Sequence, residues 1–276
     1  MRSKNKLNSI NTMKNSQYLK TSALFFLLAF IMNSCSSSSS ITGEDDDVVV
    51  DDTFNPTTTT YDITPILTYF DNVDGVSYSV TGNNVTFTSK GTPNHTSPYW
   101  DTSNPLYEAY NGTNSNWRKN PNSIGEQNLT FTMTLNPKEA TNKSATPMGP
   151  IGLSRNGVVF FNQYAAGGAD LTNEINSFDQ WLGHPAGTLY HYHIEPTYLT
   201  TQFSKSGFLG LLADGFPVYG PEENGSTLTS SDLDDYHGHT SATADFPKGI
   251  YHYHITADAP YLNGNGFFGT AGTITR

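Results

Sequence analysis

The pentapeptide Tyr-His-Tyr-His-Ile stands twice in this chain, at Tyr190–Ile194 and at Tyr251–Ile255. Successive side chains of an extended strand point to opposite faces. His191 and His193 therefore share one face against Tyr190, Tyr192 and Ile194, and His252 and His254 oppose Tyr251, Tyr253 and Ile255 in the same way. Two such imidazoles stand roughly 6 to 7 Å apart at their Cα atoms, a span that lets both rings converge on one ion. Imidazole is the commonest protein ligand for transition metals, so the pattern points to metal binding.

More of the chain repeats around these strands. Gly152–Phe161 lines up with Gly210–Tyr219, each with Asn-Gly or Asp-Gly between apolar runs, the signature of a two-residue type I′ hairpin. Asp179 precedes Gly183-His184 as Asp234 precedes Gly238-His239, and Tyr198-Leu199 answers Tyr261-Leu262. Gly152 and Gly210, His184 and His239, and His191 and His252 are separated by 58, 55 and 61 residues, nearly constant offsets. A tandem duplication from Gly152 to Leu262 follows, with halves expected to face each other about a pseudo-two-fold axis. Six histidines have equivalents: His184, His191 and His193, then His239, His252 and His254.

One His-x-His strand and one loop histidine give three nitrogen ligands, a set that suits zinc or copper. The two sets can form two sites or share one at the axis. Metal-bound imidazoles donate their other N–H to a carboxylate or carbonyl, which makes Asp179 and Asp234 candidate outer partners. Glu195, two positions beyond His193, is a candidate ligand or general base in the first half only; Thr256 holds the matching place in the second. Asp214 reads as a turn residue in preference to a catalytic one.

The elements expected to carry these residues are mainly strands. Val76–Val80 and Val85–Thr88 flank a Thr81-Gly-Asn-Asn84 turn, and Leu129–Leu135 alternates apolar residues with Thr. Leu171, Ile175, Phe178 and Leu182 suggest a short helix over Ala169–Leu182. The expectation is an all-β fold: an internally duplicated β-sandwich or barrel-like domain with long polar loops and at most short helices. Within it, residues 57–150 form an N-terminal β part and 151–276 the duplicated half.

At the N-terminus, Lys4, Lys6, Lys14 and Lys20 precede the apolar run Ala23–Met32, too short to span a bilayer and built like a secretory signal. Cys35, the only cysteine, follows at once, which resembles the bacterial lipobox, where that cysteine is lipidated. Residues 1–34 read as a lipoprotein signal peptide and 35–56, rich in Ser and Asp, as a disordered tether. The expected location is exported and membrane-anchored, an outer-membrane lipoprotein on the periplasmic side or at the cell surface. With no cysteine left for a disulfide, core packing and any bound ion must hold the domain. A net charge of −11 with scattered Lys and Arg disfavours nucleic acid as a partner.

The stretch Met148–Phe161, the Gly183-His184-Pro185 loop, Ala213–Pro221 and the two Tyr-His-Tyr-His strands together resemble the YHYH domain family of exported proteins. The likeness runs from about Thr57 to Phe268 and implies no particular activity. Many members carry a cysteine three positions before each Gly-His histidine, where this chain has Trp181 and Tyr236, and Asn where it has His237. The resemblance therefore implies loops that here lack a disulfide brace.

Four functional classes are compatible with these residues. They are a metal-dependent hydrolase or oxidoreductase, a metal-sequestering or metal-delivery lipoprotein, a glycan binder using Trp100, Trp117 or Trp181, and a structural surface protein whose histidines brace the fold. No Gly-x-Ser-x-Gly elbow is present, and the Gly-rich Asn263–Gly269 opens no helix. Asp71–Gly75 lacks the closing Glu of a calcium loop and reads as a turn.

Overall fold

The protein is described by a computed structural model over residues 59–276. The expected signal peptide, Cys35 and the expected tether lie outside the described residues. Among the described residues the fold is mainly β, and no helix is long and apolar enough to cross a membrane. The strands are β1 (Val76–Thr81), β2 (Asn84–Ser89), β3 (Leu129–Thr134), β4 (Glu139–Ser144), β5 (Pro150–Ser154), β6 (Val159–Phe161), β7 (Gly183–Ala186), β8 (Leu189–Tyr192), β9 (Phe208–Leu212), β10 (Pro217–Tyr219), β11 (Glu222–Glu223), β12 (Ser226–Thr227), β13 (Gly238–Ser241), β14 (Ile250–His254), β15 (Phe267–Gly269) and β16 (Thr273–Thr275). One short helix, α1, spans Thr197–Phe203.

Strands β1, β2, β3 and β16 form an antiparallel four-stranded sheet, so the chain's last strand returns to the N-terminal part. Alternation decides its buried face: Val85, Phe87, Phe131 and Met133 point inward and the intervening threonines do not. These residues join one apolar cluster with Ile63, with Ile66 and Phe70 from the 3₁₀ turn Thr64–Phe70 that follows it, and with Ile151, Leu153, Leu209 and Leu211 of the larger sheet. Phe70 packs on Phe87 and Phe208 across this layer, with centroids 4.7 and 6.0 Å apart.

The larger sheet carries the duplication, and its eight strands run β13-β14-β10-β9-β5-β6-β8-β7. That order is a palindrome of the two halves. At its centre β5 and β9 pair antiparallel, Leu153 opposite Leu211, with Gly152 opposite Leu212 and Ser154 opposite Gly210. Leu153 and Leu211 are equivalent in the repeat, so the pseudo-two-fold axis passes between them. Outward from it the registers match: Phe160 with Tyr192 and Val218 with Tyr253, both parallel, then His184 with His191 and His239 with His252. The halves thus form one continuous sheet, and the histidine strands end near its opposite edges. The halves therefore lie side by side instead of facing each other as expected, and of the two arrangements left open the single site shared at the axis is not formed.

Two local expectations also change. The repeated hairpins are three-residue loops, not two-residue type I′ turns: Ser154 N–H donates to Val158 and Leu212 N–H to Phe216, leaving three residues between. Only Gly157 and Gly215 (φ +86° each) are left-handed, whereas a type I′ turn needs two such residues. Between Ala169 and Leu182 the chain forms only a 3₁₀ turn, Glu174–Ser177. Leu171, Ile175 and Phe178 do gather, but in a small satellite cluster with Ala165, preceded by left-handed Gly167 and Gly168. Within the span Asp170, Thr172, Asn173, Asn176 and Ser177 compete for backbone hydrogen bonds, as Asp170 does with the Thr172 N–H, and a helix does not form.

Candidate metal centres

The Gly-His loops explain how the outer strands are set. In each, an Asp side chain turns back on its own loop. Asp179 accepts from the N–H groups of Trp181 (2.8 Å) and Gly183 (3.4 Å), and Asp234 from those of Tyr236 (2.9 Å) and Gly238 (3.1 Å). The same carboxylates accept the hydroxyls of Tyr190 (2.8 Å) and Tyr251 (3.0 Å). Those rings lie so close that a Cβ on Gly183 or Gly238 would collide with the hydroxyl, so the glycine of Gly-His is imposed by the first tyrosine of Tyr-His-Tyr-His. Leu182 and His237 occupy the equivalent left-handed position (φ 61° and 72°), a place that favours Asn. In place of disulfides, Trp181 packs edge-on to Tyr198 and Tyr236 lies under the Lys143 ammonium.

Asp179 and Asp234 therefore sit on the tyrosine side of the sheet and bond no imidazole. The expectation that they serve as outer partners of the ligands is corrected: alternation puts the loop's Asp with the tyrosines, not with the histidines. Burial, with nothing cationic beside it, pushes Asp179 up to about 6. Glu195 is also elsewhere. Its carboxylate accepts the Thr200 hydroxyl at 2.6 Å, because the strand ends at Tyr192 and the chain turns into α1, so alternation stops before it.

On the opposite face each half gathers its three histidines with a glutamate. Glu174, His184, His191 and His193 form one group and Glu223, His239, His252 and His254 the other, with one ligand atom from each residue within 4.8 Å of the rest. All six histidines expected as ligands are placed in these groups, three to each, so the candidate centres are two and separate.

Nδ1 of His191 donates to Leu189 carbonyl (3.1 Å) and that of His193 to Asn162 carbonyl (2.6 Å). In the second half His252 donates to Ile250 carbonyl (2.9 Å) and His254 to Gly220 carbonyl (2.7 Å). A carbonyl only accepts, so the proton sits on Nδ1 and each Nε2 presents a lone pair. His184 behaves alike: the Ser177 hydroxyl gives its proton to Glu174 carbonyl and receives that of His184 Nδ1 at 2.7 Å. Asn120 Nδ2 stands 3.3 Å from His184 Nδ1 and donates to the Pro185 carbonyl at 3.0 Å.

The Nε2 atoms then face each other, 3.0 Å apart in His191–His193 and 3.0 Å apart in His252–His254. A second proton would relieve that opposition, but burial opposes it. Desolvation holds His191 well below the usual imidazole range, His193 at about 4 and His252 at about 3, and lowers His254. Nε2 of His184 and of His239 are buried without a hydrogen-bond partner, each near a carboxylate: Glu174 at 3.0 Å and Glu223 at 3.3 Å. Glu223 also lies 3.5 Å from His252, and Glu174 3.9 Å from His193.

Ligands about 2.0 to 2.1 Å from a tetrahedral ion stand roughly 3.3 Å apart. The separations of 3.0 to 3.9 Å match that spacing. A set of three imidazoles and a carboxylate suits zinc, copper or iron.

The glutamates were not foreseen from the sequence. At the hairpin offset Glu223 aligns with Ala165, and at the loop offset Glu174 aligns with Thr229, so neither belongs to the repeat. A usable signal was the scarcity of the residue: Glu174, Glu195, Glu222 and Glu223 are the only glutamates between Gly152 and Leu262.

The comparisons with known proteins agree with the motif reading. No curated protein and no solved structure matches the chain. The family described as YHYH protein matches residues 130–228 and 222–266, which span both halves of the duplication and both histidine groups. Through these residues the chain belongs to the YHYH protein family.

Proposed function

We propose that the protein binds two transition metal ions, one in each half of the duplicated sheet, each held by three imidazole Nε2 atoms and one glutamate. One observation carries this reading. Backbone carbonyls fix the protons on Nδ1, so neutral Nε2 lone pairs confront each other at 3.0 Å, an arrangement that a cation between them satisfies. Zinc and copper are the first candidates. When bound, such an ion supplies Lewis acidity and lowers the pKa of a coordinated water, the basis of hydrolytic chemistry; copper or iron would add redox chemistry. The N-terminal pattern supports an exported lipoprotein anchored through Cys35.

Glycan binding finds no comparable support. Trp117 lies face to face on Tyr110 at 4.3 Å, Trp100 donates its indole N–H to His95 carbonyl, and Trp181 packs against Tyr198. A purely structural role would leave four Nε2 lone pairs opposed in pairs. Elemental analysis of protein purified without a metal-binding tag tests the proposal. Two equivalents of zinc, copper or iron are expected, and a folded protein that stays empty when these metals are offered would overturn it.

A further inference from the structure

The two centres share a ligand set but differ in their surroundings. Around the first, the ring of Phe161 stacks on His191 at 3.9 Å, and Phe178 lies parallel to His193 at 5.9 Å and edge-on to His184. The segment Tyr99–Gly125, which has no counterpart in the second half, runs along β7 and β8: Asn120 and Asn122 donate to Pro185 carbonyl, Ser123 to Gly187 and Gly125 to Thr188. His184 is left 4% exposed, whereas its equivalent His239 is 26% exposed. The glutamates do not make this difference, being 22% and 16% exposed. His252 and His254 help line a cleft of about 320 Å³, which Glu222, Glu223, Asn224 and Thr243 also border and which no Lys or Arg lines. Tyr219 borders it too, its hydroxyl donating to Asp245 at 2.7 Å. Carboxylates beside a cleft without basic groups repel anions and favour uncharged or cationic ligands.

We infer that the centres are divided in role. The second-half ion is exchangeable and takes a small uncharged or cationic donor through the Glu222–Glu223 cleft, while the first-half ion is locked beneath Phe161, Phe178 and the Tyr99–Gly125 segment. This rests on the two-ion reading above, and a chain that binds no metal would defeat that reading by itself. Given two bound ions, the division is tested separately.

The full chain loaded with two equivalents of zinc is mixed with excess isotopically labelled zinc, and exchange is followed by mass spectrometry. One equivalent should exchange faster than the other by about tenfold or more, the scale on which outer-sphere changes alter metal affinity. Glu223→Gln should remove or accelerate only the fast component. Ala244→Trp, an exposed position at the cleft that contributes no ligand, should slow the fast component and leave the slow one unchanged. In cobalt-loaded protein, imidazole should alter the visible spectrum of one equivalent at lower concentration than azide does. A single exchange rate for both ions, a fast component indifferent to Ala244→Trp, or azide binding more tightly than imidazole would overturn the inference.

Discussion

The two halves of the large sheet carry the same strand order, the same loop turn and the same histidine triad, yet each acquires its glutamate from a different place. In the first half Glu174 comes from a 3₁₀ turn between β6 and β7; in the second Glu223 comes from the short β11 just after β10. Duplication fixed what lies in the strands and their tight loops, while the longer connections diverged. Connections are where such freedom exists, because their backbone is not bound into the ladder. The tyrosine faces differ as well. Tyr253 donates to the buried carboxylate of Asp214 at 2.7 Å, whereas Tyr192 meets neutral Asn156 and His95.

Removing ligands tests the comparison most severely. His191→Ala with His193→Ala should cost one equivalent of metal, and His252→Ala with His254→Ala the other, each leaving its counterpart filled. At a free-metal concentration 100 times Kd, each lost ion removes about 2.7 kcal/mol of stabilisation. Calorimetry with and without chelator measures this. Loss of both ions from either double variant would show one shared centre instead of two.

Acid is the next lever. His95, outside both centres, is held near 4 by burial, and so is His237. The unfolded chain then binds more protons than the folded one between the ordinary imidazole pKa of about 6.5 and about 4, so metal-free protein should lose stability as pH falls through that window. For His95 alone the loss reaches about 3 kcal/mol. Asp179 and Asp214, both raised to about 6 by burial, act oppositely: folded protein binds more protons between about 4 and 6, and stability rises as they protonate. His95→Asn should flatten the acid limb of denaturant midpoints measured against pH. An unchanged limb would show that His95 does not contribute it.

Smaller effects separate the loop carboxylates. Asp179 is buried with the Ser97 and Tyr190 hydroxyls on it, while Asp234 is exposed and holds Tyr251. Asp179→Ala should cost about 3 kcal/mol and Asp234→Ala about 1. Neither should change metal affinity beyond about twofold, whereas removing a true outer partner costs about 10-fold or more. Metal titration of folded variants decides between these roles.

The smallest difference concerns the second tyrosines. Tyr253→Phe takes one donor from the buried carboxylate of Asp214, which keeps the N–H groups of Gly269 and Phe216, and should cost about 2 kcal/mol, against about 1 for Tyr192→Phe, whose partners are neutral. Equal urea midpoints for the two variants would remove the asymmetry assigned to Asp214.

The residues themselves determined the six histidines, their shared faces and the duplication, because period-two alternation and repeat register are local properties that need no partner strand. The mainly β class and the β1–β2 hairpin at Gly82 were legible for the same reason. The glutamates, the true bonds of Asp179 and Asp234, and the departure of Glu195 from the histidine face were not, since each depends on where a loop travels after leaving its strand. Only the tertiary structure decided that the halves would join edge to edge through Leu153 and Leu211, placing the histidine groups apart on one sheet. It also decided their exposure. Repeat register says nothing about the Tyr99–Gly125 segment, whose hydrogen bonds to Pro185, Gly187 and Thr188 cover one histidine group and leave the other beside a cleft.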